Sequence, residues 1–399
     1  MINSVKNKSF PVRTLQFLYF LSMGSISPFL GLYLKKIITE PFGSKGLALV
    51  GLLFFIQPLV TIPSAPILGF ISDKYKISHK LSFLSSLMML VSAVFFFLPN
   101  LFNFSYFGLA IILLIAIGLY GIFSGILVPL IDSETLHYLH SKDGNGSQYG
   151  KIRVWGSAGW VISPIIVGFL AFRTDNLSFS IIVFALASSL LCIFSRKGST
   201  YNETKEKIDW RILKKDRPFI LFLLFTFILN IATTSSFTFT SWFMDDGNTS
   251  LLIMGLAFGL SALPEIPLML KVDKISKFFG NGNMISLGIA IEGIRLFLFL
   301  LVAKTGKTEL YILLLCLHGI FWTLYYNGLI QFIDNRAGDN MKATRLSLIA
   351  LVSAAGAALA GPFGAWIINA WSSFELMKVD GFILILMALI FYIISKKEK

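Results

Sequence analysis

A chain of 399 residues that is 55% hydrophobic and only 14% charged has too few polar side chains to cover the surface of a water-soluble protein. Its apolar residues gather in runs of about 20, long enough to cross the hydrocarbon core of a bilayer as helices. The net charge of +13 does not indicate a nucleic-acid partner, because the basic residues flank these runs. We therefore predict an all-α, multi-pass membrane protein surrounded by lipid.

Twelve apolar runs are predicted to be transmembrane spans: 11–34, 47–72, 81–99, 105–131, 150–172, 178–195, 218–243, 251–270, 283–303, 309–332, 345–370 and 381–395. An even number of spans places both termini on the same side of the membrane. Most lysines and arginines fall in the segments on that side, which predicts cytoplasmic termini. The first run is too long for a signal-peptide core, so we expect it to remain as the first span. The expected location is a bacterial inner membrane.

The loop after the second span has the spacing Gly69-x-x-x-Asp73-Lys74. It resembles the Gly-x-x-x-Asp-(Arg/Lys) loop of the major facilitator superfamily. Gly69 would permit close approach of a neighbouring helix, and Asp73 can accept hydrogen bonds from helix N-terminal amides or a basic partner. Such a contact would close the cytoplasmic side in one state and break in the other. The alternative is a plain basic loop on the cytoplasmic side.

The fifth span begins with a basic, glycine-rich stretch from Tyr149 to Trp160. Small residues such as Gly156 and Gly159 would let another helix backbone come close. Arg153, near the entry of this span, either extends to the lipid headgroups or faces a hydrated pathway inside the protein. These two interpretations remain open on this stretch alone.

Residues 196–217 form the longest polar, charge-mixed stretch and fall between the sixth and seventh spans. We predict a cytoplasmic linker there, with residues 1–195 and 218–399 forming two six-helix halves. A short repeat supports the division: Pro63 and Pro66 precede Asp73-Lys74, while Pro264 and Pro267 precede Asp273-Lys274. The repeat fits a duplicated half with parallel topology.

Four ionisable residues lie inside the eighth to tenth spans: Glu265, Glu292, Arg295 and His318. A charge at such depth costs at least about 2–3 kcal/mol unless it is paired or hydrated, so these residues indicate a functional site. Glu292 and Arg295 are three residues apart and can neutralise each other on one helix face. Glu265 lies on another helix and needs its own partner or a proton. A carboxyl group that alternates between apolar and cationic surroundings takes up and releases a proton.

Five segments together resemble one branch of the major facilitator superfamily, which contains lactose permease and the 3-phenylpropionic acid transporter and has nucleoside–proton symporters nearby. These segments are 19–33, 129–132, 149–160, 264–267 and 317–319. The resemblance implies a twelve-helix secondary transporter that works by alternating access, with substrate bound at mid-membrane between the halves. It also implies a monomer.

The same resemblance implies roles for individual residues. Arg153 would contact the substrate, Trp160 would stack against it, and Asp132 or Glu134 would pair with Arg153. Glu265, Arg295 and His318 would link substrate binding to proton movement, with Glu292 as a further candidate. One departure matters: lactose permease carries a glutamate one turn after the histidine, and Phe321 stands there in this chain. Coupling is therefore expected at Glu265 or Glu292, or works differently here.

The favoured function is uptake of a sugar, a nucleoside or an aromatic acid together with a proton. A drug-efflux type exporter and an uncoupled facilitator share the fold and remain alternatives. A membrane enzyme is disfavoured, because we find no nucleophile–base pair, no metal-ligand cluster and no phosphate-binding glycine loop. Cys192 and Cys316 both fall inside apolar runs and predict neither a disulfide framework nor a metal site. No cofactor is expected.

Overall fold

The computed structural model describes residues 10–143, 149–195, 217–269, 271–336 and 342–397. In these ranges the predicted all-α fold is confirmed. The helices are α1 Phe10–Leu34, α2 Glu40–Tyr75, α3 Ser78–Phe97, α4 Tyr106–Asp143, α5 Tyr149–Thr174, α6 Ser178–Ser195, α7 Arg217–Thr238, α8 Thr240–Asp246, α9 Leu251–Leu260, α10 Glu265–Met269, α11 Val272–Phe279, α12 Asn281–Thr305, α13 Leu310–Arg336, α14 Lys342–Ala370 and α15 Ser373–Lys397.

The helices account for all twelve predicted spans. Within the described ranges, eleven helical segments are long and apolar enough to cross a membrane, and the first of them, Pro11–Ser72, contains the first two spans. The chain passes from α1 through a π-helical stretch, Lys35–Thr39, into α2. It then bends at Gly43, whose φ of 57° lies in the left-handed region that glycine adopts without steric cost.

The outer faces of these helices are apolar, as a bilayer solvent requires. Large side chains such as Phe107, Leu313 and Phe382 are each about two-thirds exposed or more, at 77%, 67% and 66%. Serines are buried instead, and Ser82, Ser85 and Ser86 on α3 are fully enclosed. A multi-pass membrane protein explains this inversion of the usual pattern.

Residues 1–49 and 56–204 form one compact unit, the N-terminal unit. In it, α1 lies against α5 and α6, and α3 lies against α4 and α6. The approach of α5 to α1 depends on glycine, since a β-carbon at Gly159 would collide with the carbonyl oxygen of Phe17. A β-carbon at Gly156 would likewise collide with the Phe20 ring. The small residues of the fifth span therefore bring a neighbouring backbone close, as predicted.

Residues 50–55 and 205–399 form the second compact unit, the C-terminal unit. Here α7 lies against α14 and α15, and α12 lies against α13 and α15. The first span of this half thus contacts its fifth and sixth, and the third contacts its fourth and sixth, as in the N-terminal unit. This recurrence is what a duplicated six-helix half predicts.

Three spans depart from the predicted continuous helices. The seventh is divided at Phe239 into α7 and α8, and the eighth is divided by a turn at residues 261–264 into α9 and α10. The twelfth begins at Ser373, well before the predicted residue 381, and so encloses Asp380. The charges near its start do not stop the helix, because Lys378 Nζ pairs with Glu375 Oε1 at 2.6 Å one turn away. The predicted linker lies almost wholly outside the described residues, at 196–216.

Candidate functional site

Arg153 lies near the start of α5, and its guanidinium group stacks on an aromatic ring. The Cζ atom is 4.1 Å from the centre of the Phe20 ring on α1, a cation–π geometry. Gly156, one turn further along α5, leaves the room that this stacking needs. Arg153 is half-buried, so it faces the interior of the N-terminal unit while part of it remains accessible.

Asp132 on α4 is the acidic partner of this N-terminal cluster, which comprises Gln16, Phe20, Asp132, Tyr149 and Arg153. Its Oδ1 accepts a hydrogen bond from Gln16 Nε2 at 2.8 Å. The Tyr149 phenol lies near both Asp132 and Arg153, and both charges act on its pKa. Burial and the Asp132 carboxylate raise the pKa of this phenol, so it remains a hydrogen-bond donor at neutral pH.

Two further predicted binding residues lie at different positions around this cluster. Trp160 follows Arg153 by seven residues, which returns it to about the same face of α5. Its carbonyl oxygen lies beside Gly24 on α1, and its side chain is half-buried. Glu134 is two residues after Asp132 and therefore about 200° around α4. It is buried, and its Oε1 has no hydrogen-bond partner among the described residues.

The C-terminal cluster comprises Glu292 and Arg295 on α12 and His318 on α13. Arg295 donates from Nη2 to Glu292 Oε1 at 2.6 Å and from Nε to Oε2 at 3.0 Å, a bidentate pair. His318 Nδ1 is 3.0 Å from the same Oε1. Both members of the Arg–Glu pair are 0% exposed. In the structure, Glu292 and Arg295 therefore neutralise each other on α12.

Aromatic rings enclose this cluster. The His318 ring stacks on the Phe237 ring of α7, with 5.2 Å between the ring centres. The Phe321 ring, on the same helix as His318, has its centre 5.6 Å from that of the His318 ring. The Arg295 guanidinium lies over the Phe299 ring at 4.7 Å. Its Nη1 is buried and has no partner within the described part of the chain. The cluster thus has one unused hydrogen-bond donor in an otherwise closed network.

Glu265 is the first residue of α10, directly after the turn that divides the eighth span. It is half-buried, and its Cγ would be 3.3 Å from a β-carbon placed at Gly319 on α13. Glu265 is therefore next to the residue that follows His318. The hydrogen bonds described above for Arg295 and His318 go to Glu292, so Glu265 borders the cluster without being its centre.

The predicted gate residues lie at the end of α2. Lys74 is exposed, with Nζ 5.3 Å from the centre of the Tyr75 ring, and the Asp73 side chain lies outside the described residues. A β-carbon at Gly69 would have ordinary room, 3.8 Å from Ile126 Cδ1. The close helix contact expected at Gly69 is therefore not found among the described residues.

Sequence reasoning missed several participants. Gln16 and Phe237 were not singled out, and Tyr149 was noted only as the start of a motif. Gln16 left a usable signal, because a glutamine inside an apolar span is uncommon unless it has a partner. Phe237 left none, since aromatic residues are frequent throughout the chain.

Comparisons with known proteins find a matching family and several relatives. The MFS_1 like family matches residues 12–379. The chain is 25% identical to the maltose permease of Geobacillus stearothermophilus over 96% of its own length and 93% of the permease. It is 26% identical to the uncharacterized transporter YwbF of Bacillus subtilis, over 87% of the chain and 81% of YwbF.

Two further matches bear on fold and family. The putative nucleoside transporter YegT of Escherichia coli is 24% identical over 51% of each chain. Among solved structures, the nucleoside transporter NupG superposes with a TM-score of 0.80 at 16% identity, over 98% of this chain and 99% of NupG. At that identity the superposition establishes the fold.

Proposed function

Since the chain belongs to the MFS_1 like family of major facilitator transporters, we propose that it carries a sugar or a nucleoside across the membrane by alternating access, in symport with a proton. The names of the maltose permease and of the nucleoside transporters support this substrate class. The observation that carries the proposal is the N-terminal cluster, where Arg153 and Asp132 both lie beside the Tyr149 phenol.

The chemistry of this cluster suits a hydroxyl-rich solute. Arg153 offers fixed N–H donors, while Asp132 accepts hydrogen bonds and can receive one from a sugar hydroxyl. Tyr149 and Gln16 hold these two groups in place, and Trp160 offers a flat apolar surface for a sugar or base ring. Glu134 is a second candidate acceptor on the same helix. An aromatic acid would use Arg153 but would leave the acceptors without partners.

Proton coupling is assigned to Glu265, with Arg295 and His318 tuning it. Protonation of Glu292 would require loss of its hydrogen bonds to Arg295 and His318, whereas Glu265 lies beside this network at a break in its span. We expect Glu265→Gln to abolish proton-driven uptake and to preserve exchange of labelled for unlabelled substrate. Wild-type levels of both activities in this variant would refute the assignment. Glu375→Gln, an exposed acid of the same unit, is the control.

The remaining parts of the proposal concern topology and gating. We place both termini in the cytoplasm of a bacterial cell, with the protein in the inner membrane as a monomer. Residues 1–195 and 218–399 act as the two moving halves, joined by the cytoplasmic segment between them. Gly69, Asp73 and Lys74 form a gate on the cytoplasmic side.

The test is solute-induced proton uptake by an unbuffered suspension of cells that express the full chain. Maltose, uridine and 3-phenylpropionate are added one at a time. We expect alkalinisation with maltose or uridine, lost in Arg153→Ala and retained in Lys151→Ala, whose side chain is exposed at the same end of α5. Alkalinisation with 3-phenylpropionate alone would overturn the substrate class.

An uncoupled facilitator is a second candidate, favoured by Phe321 and by the closed Glu292 network. It predicts equilibration of radiolabelled maltose or uridine with no pH change. An efflux-type exporter predicts instead that expression lowers the cellular accumulation of fluorescent dyes.

A further inference from the structure

A second buried acid of the C-terminal unit has no ion-pair partner among the described residues. Asp380 lies on α15, inside the span Ser373–Ile393, and is 0% exposed. Neither of its carboxylate oxygens has a hydrogen-bond partner in the described part of the chain. An isolated carboxylate in an apolar interior is so costly that such a group carries a proton or holds a cation.

The Ser235 hydroxyl on α7 lies close enough to Asp380 to act on its carboxyl group. The Ser235 oxygen and both Asp380 oxygens are buried, and none of them has a hydrogen-bond partner of regular geometry in the described ranges. A proton on the carboxyl group would supply the missing donor.

Charged residues on the helices around α15 do not neutralise Asp380. On α12, Glu292 and Arg295 are bonded to each other, and Lys304, in the last turn, is exposed. On α8, Asp246 accepts a hydrogen bond from Ser373, and its neighbour Asp245 is also acidic. In α7 no ionisable residue follows Arg217, and in α14 none follows Arg345. None of these cations forms a hydrogen bond with Asp380 in the described ranges.

Asp380 also lies at a close crossing of two helices. A β-carbon at Gly381 would be 3.4 Å from the Gly293 carbonyl oxygen, and one at Gly293 would be 3.1 Å from the Gly381 carbonyl oxygen. Each glycine directly follows a buried acid, Asp380 on α15 and Glu292 on α12. A change in this crossing would alter the burial of both acids together, although only Glu292 has cationic partners.

We propose that Asp380 is a proton-binding site of the C-terminal unit, which holds its proton as a neutral carboxylic acid facing Ser235. The proton exchanges when the crossing of α12 and α15 changes. Proton binding at Asp380 stands independently of the transport proposal. Only its contribution to coupling rests on the proposed function.

The direct test is infrared difference spectroscopy of the purified full-length protein in phospholipid vesicles. At neutral pH the wild type should show the C=O stretch of a buried carboxylic acid, and Asp380→Asn should lack that band. Asparagine has nearly the same shape and no charge, which favours a folded variant. Glu375→Gln, an exposed acid on the same helix, should retain the band, and Ser235→Ala should shift its frequency. The same band in Asp380→Asn, or no band in the wild type, would refute the site.

Binding of Na⁺ by Asp380 is a competing explanation for the buried acid, and it predicts a different spectrum. If Asp380 holds Na⁺, its carboxylate is ionised, and replacing sodium chloride by choline chloride should change the carboxylate bands of the wild type. That result would overturn the proton assignment. No change, together with the acid band, supports it.

Transport measurements distinguish proton binding at Asp380 from a role of Asp380 in coupling. If Asp380 contributes to coupling, Asp380→Asn should flatten the pH dependence of uptake and retain substrate exchange. A wild type without proton-driven uptake would refute the proposed symport, while the infrared result would still decide proton binding. An acid band lost in Asp380→Asn, with unchanged pH dependence, would confine Asp380 to proton binding alone and refute its part in coupling.

Discussion

The N-terminal and C-terminal clusters use the same side-chain chemistry in opposite ways. Each contains one arginine stacked on a phenylalanine and one nearby acid. In the N-terminal cluster Arg153 is half-buried, and both Arg153 and Asp132 lie beside the Tyr149 phenol. In the C-terminal cluster Arg295 is wholly buried and holds Glu292 directly by two hydrogen bonds. A solute can therefore compete for hydrogen bonds from Arg153, whereas Arg295 already donates two hydrogen bonds to Glu292.

Burial determines how much free energy is lost when one charged residue of a cluster is replaced. A charge pair enclosed in a medium of low dielectric interacts strongly, and removal of one partner leaves the other uncompensated. A half-exposed arginine retains partial hydration, so its contacts can exchange at modest cost. The comparison predicts that variants of the C-terminal cluster will affect folding first, and that variants of the N-terminal cluster will affect binding.

The largest expected effect comes from Glu292→Gln. Arg295 would lose its acidic partner while remaining buried, and we expect the free energy of unfolding to fall by about 3–5 kcal/mol. Thermal unfolding of the purified protein in detergent measures the change. The matched control is Glu375→Gln, which breaks an exposed pair with Lys378 and should change stability by ~0–1 kcal/mol.

Glu292→Gln combined with Arg295→Gln should recover part of this loss, because both buried charges are then gone. Equal stability of Glu292→Gln and Glu375→Gln would remove the distinction between the enclosed and the accessible cluster.

Arg153→Ala should weaken substrate binding and leave stability nearly unchanged. Loss of hydrogen bonds from a charged donor corresponds to roughly a tenfold to hundredfold rise in the dissociation constant. Equilibrium binding of maltose and uridine to the purified protein measures it, with Lys151→Ala as control. If Arg153→Ala unfolds the protein as Glu292→Gln does, the arginine is structural and the comparison fails.

Tyr149→Phe should have the smallest effect. It removes one neutral hydroxyl beside the two charges, worth about two- to tenfold in the dissociation constant. Because burial and Asp132 raise the pKa of this phenol above its usual 10.0, the wild type should bind equally well from about pH 8 to pH 10. Binding titrations of both proteins across that range provide the measurement. A loss of wild-type affinity between pH 8 and 9 would contradict the role of this hydroxyl.

Hydropathy was sufficient to predict the spans, because long apolar runs have no alternative to helix in a bilayer. It failed where polar residues lie inside a span. Glu375, Lys378 and Asp380 lowered the hydropathy near Ser373, so the sequence prediction began the last helix at residue 381. The helix nonetheless includes them, because the first two pair with each other and the third is buried by neighbouring helices.

The sites were only partly predictable for a related reason. Arg295 and His318 were identifiable because charges inside apolar spans are costly, whereas the family resemblance indicated Arg153 and Asp132. Their partners depend on which helix faces come together, and a single sequence does not reveal that. Glu292 therefore appeared to be an intrahelical partner of Arg295, although it also bonds to His318 on the next helix. Asp380 appeared to lie in a loop for the same reason.

The turn at residues 261–264 gives the eighth span a mechanical property that an unbroken span lacks. A continuous helix resists bending because its hydrogen bonds would have to stretch, but here the ladder is already interrupted between α9 and α10. The carbonyl oxygen of Ser261 comes so close to Gly319 that any larger residue there would collide with it. The eighth span therefore has fewer hydrogen bonds to lose on bending at this turn than an unbroken helix would have, with Glu265 directly after the turn and His318 one residue before Gly319.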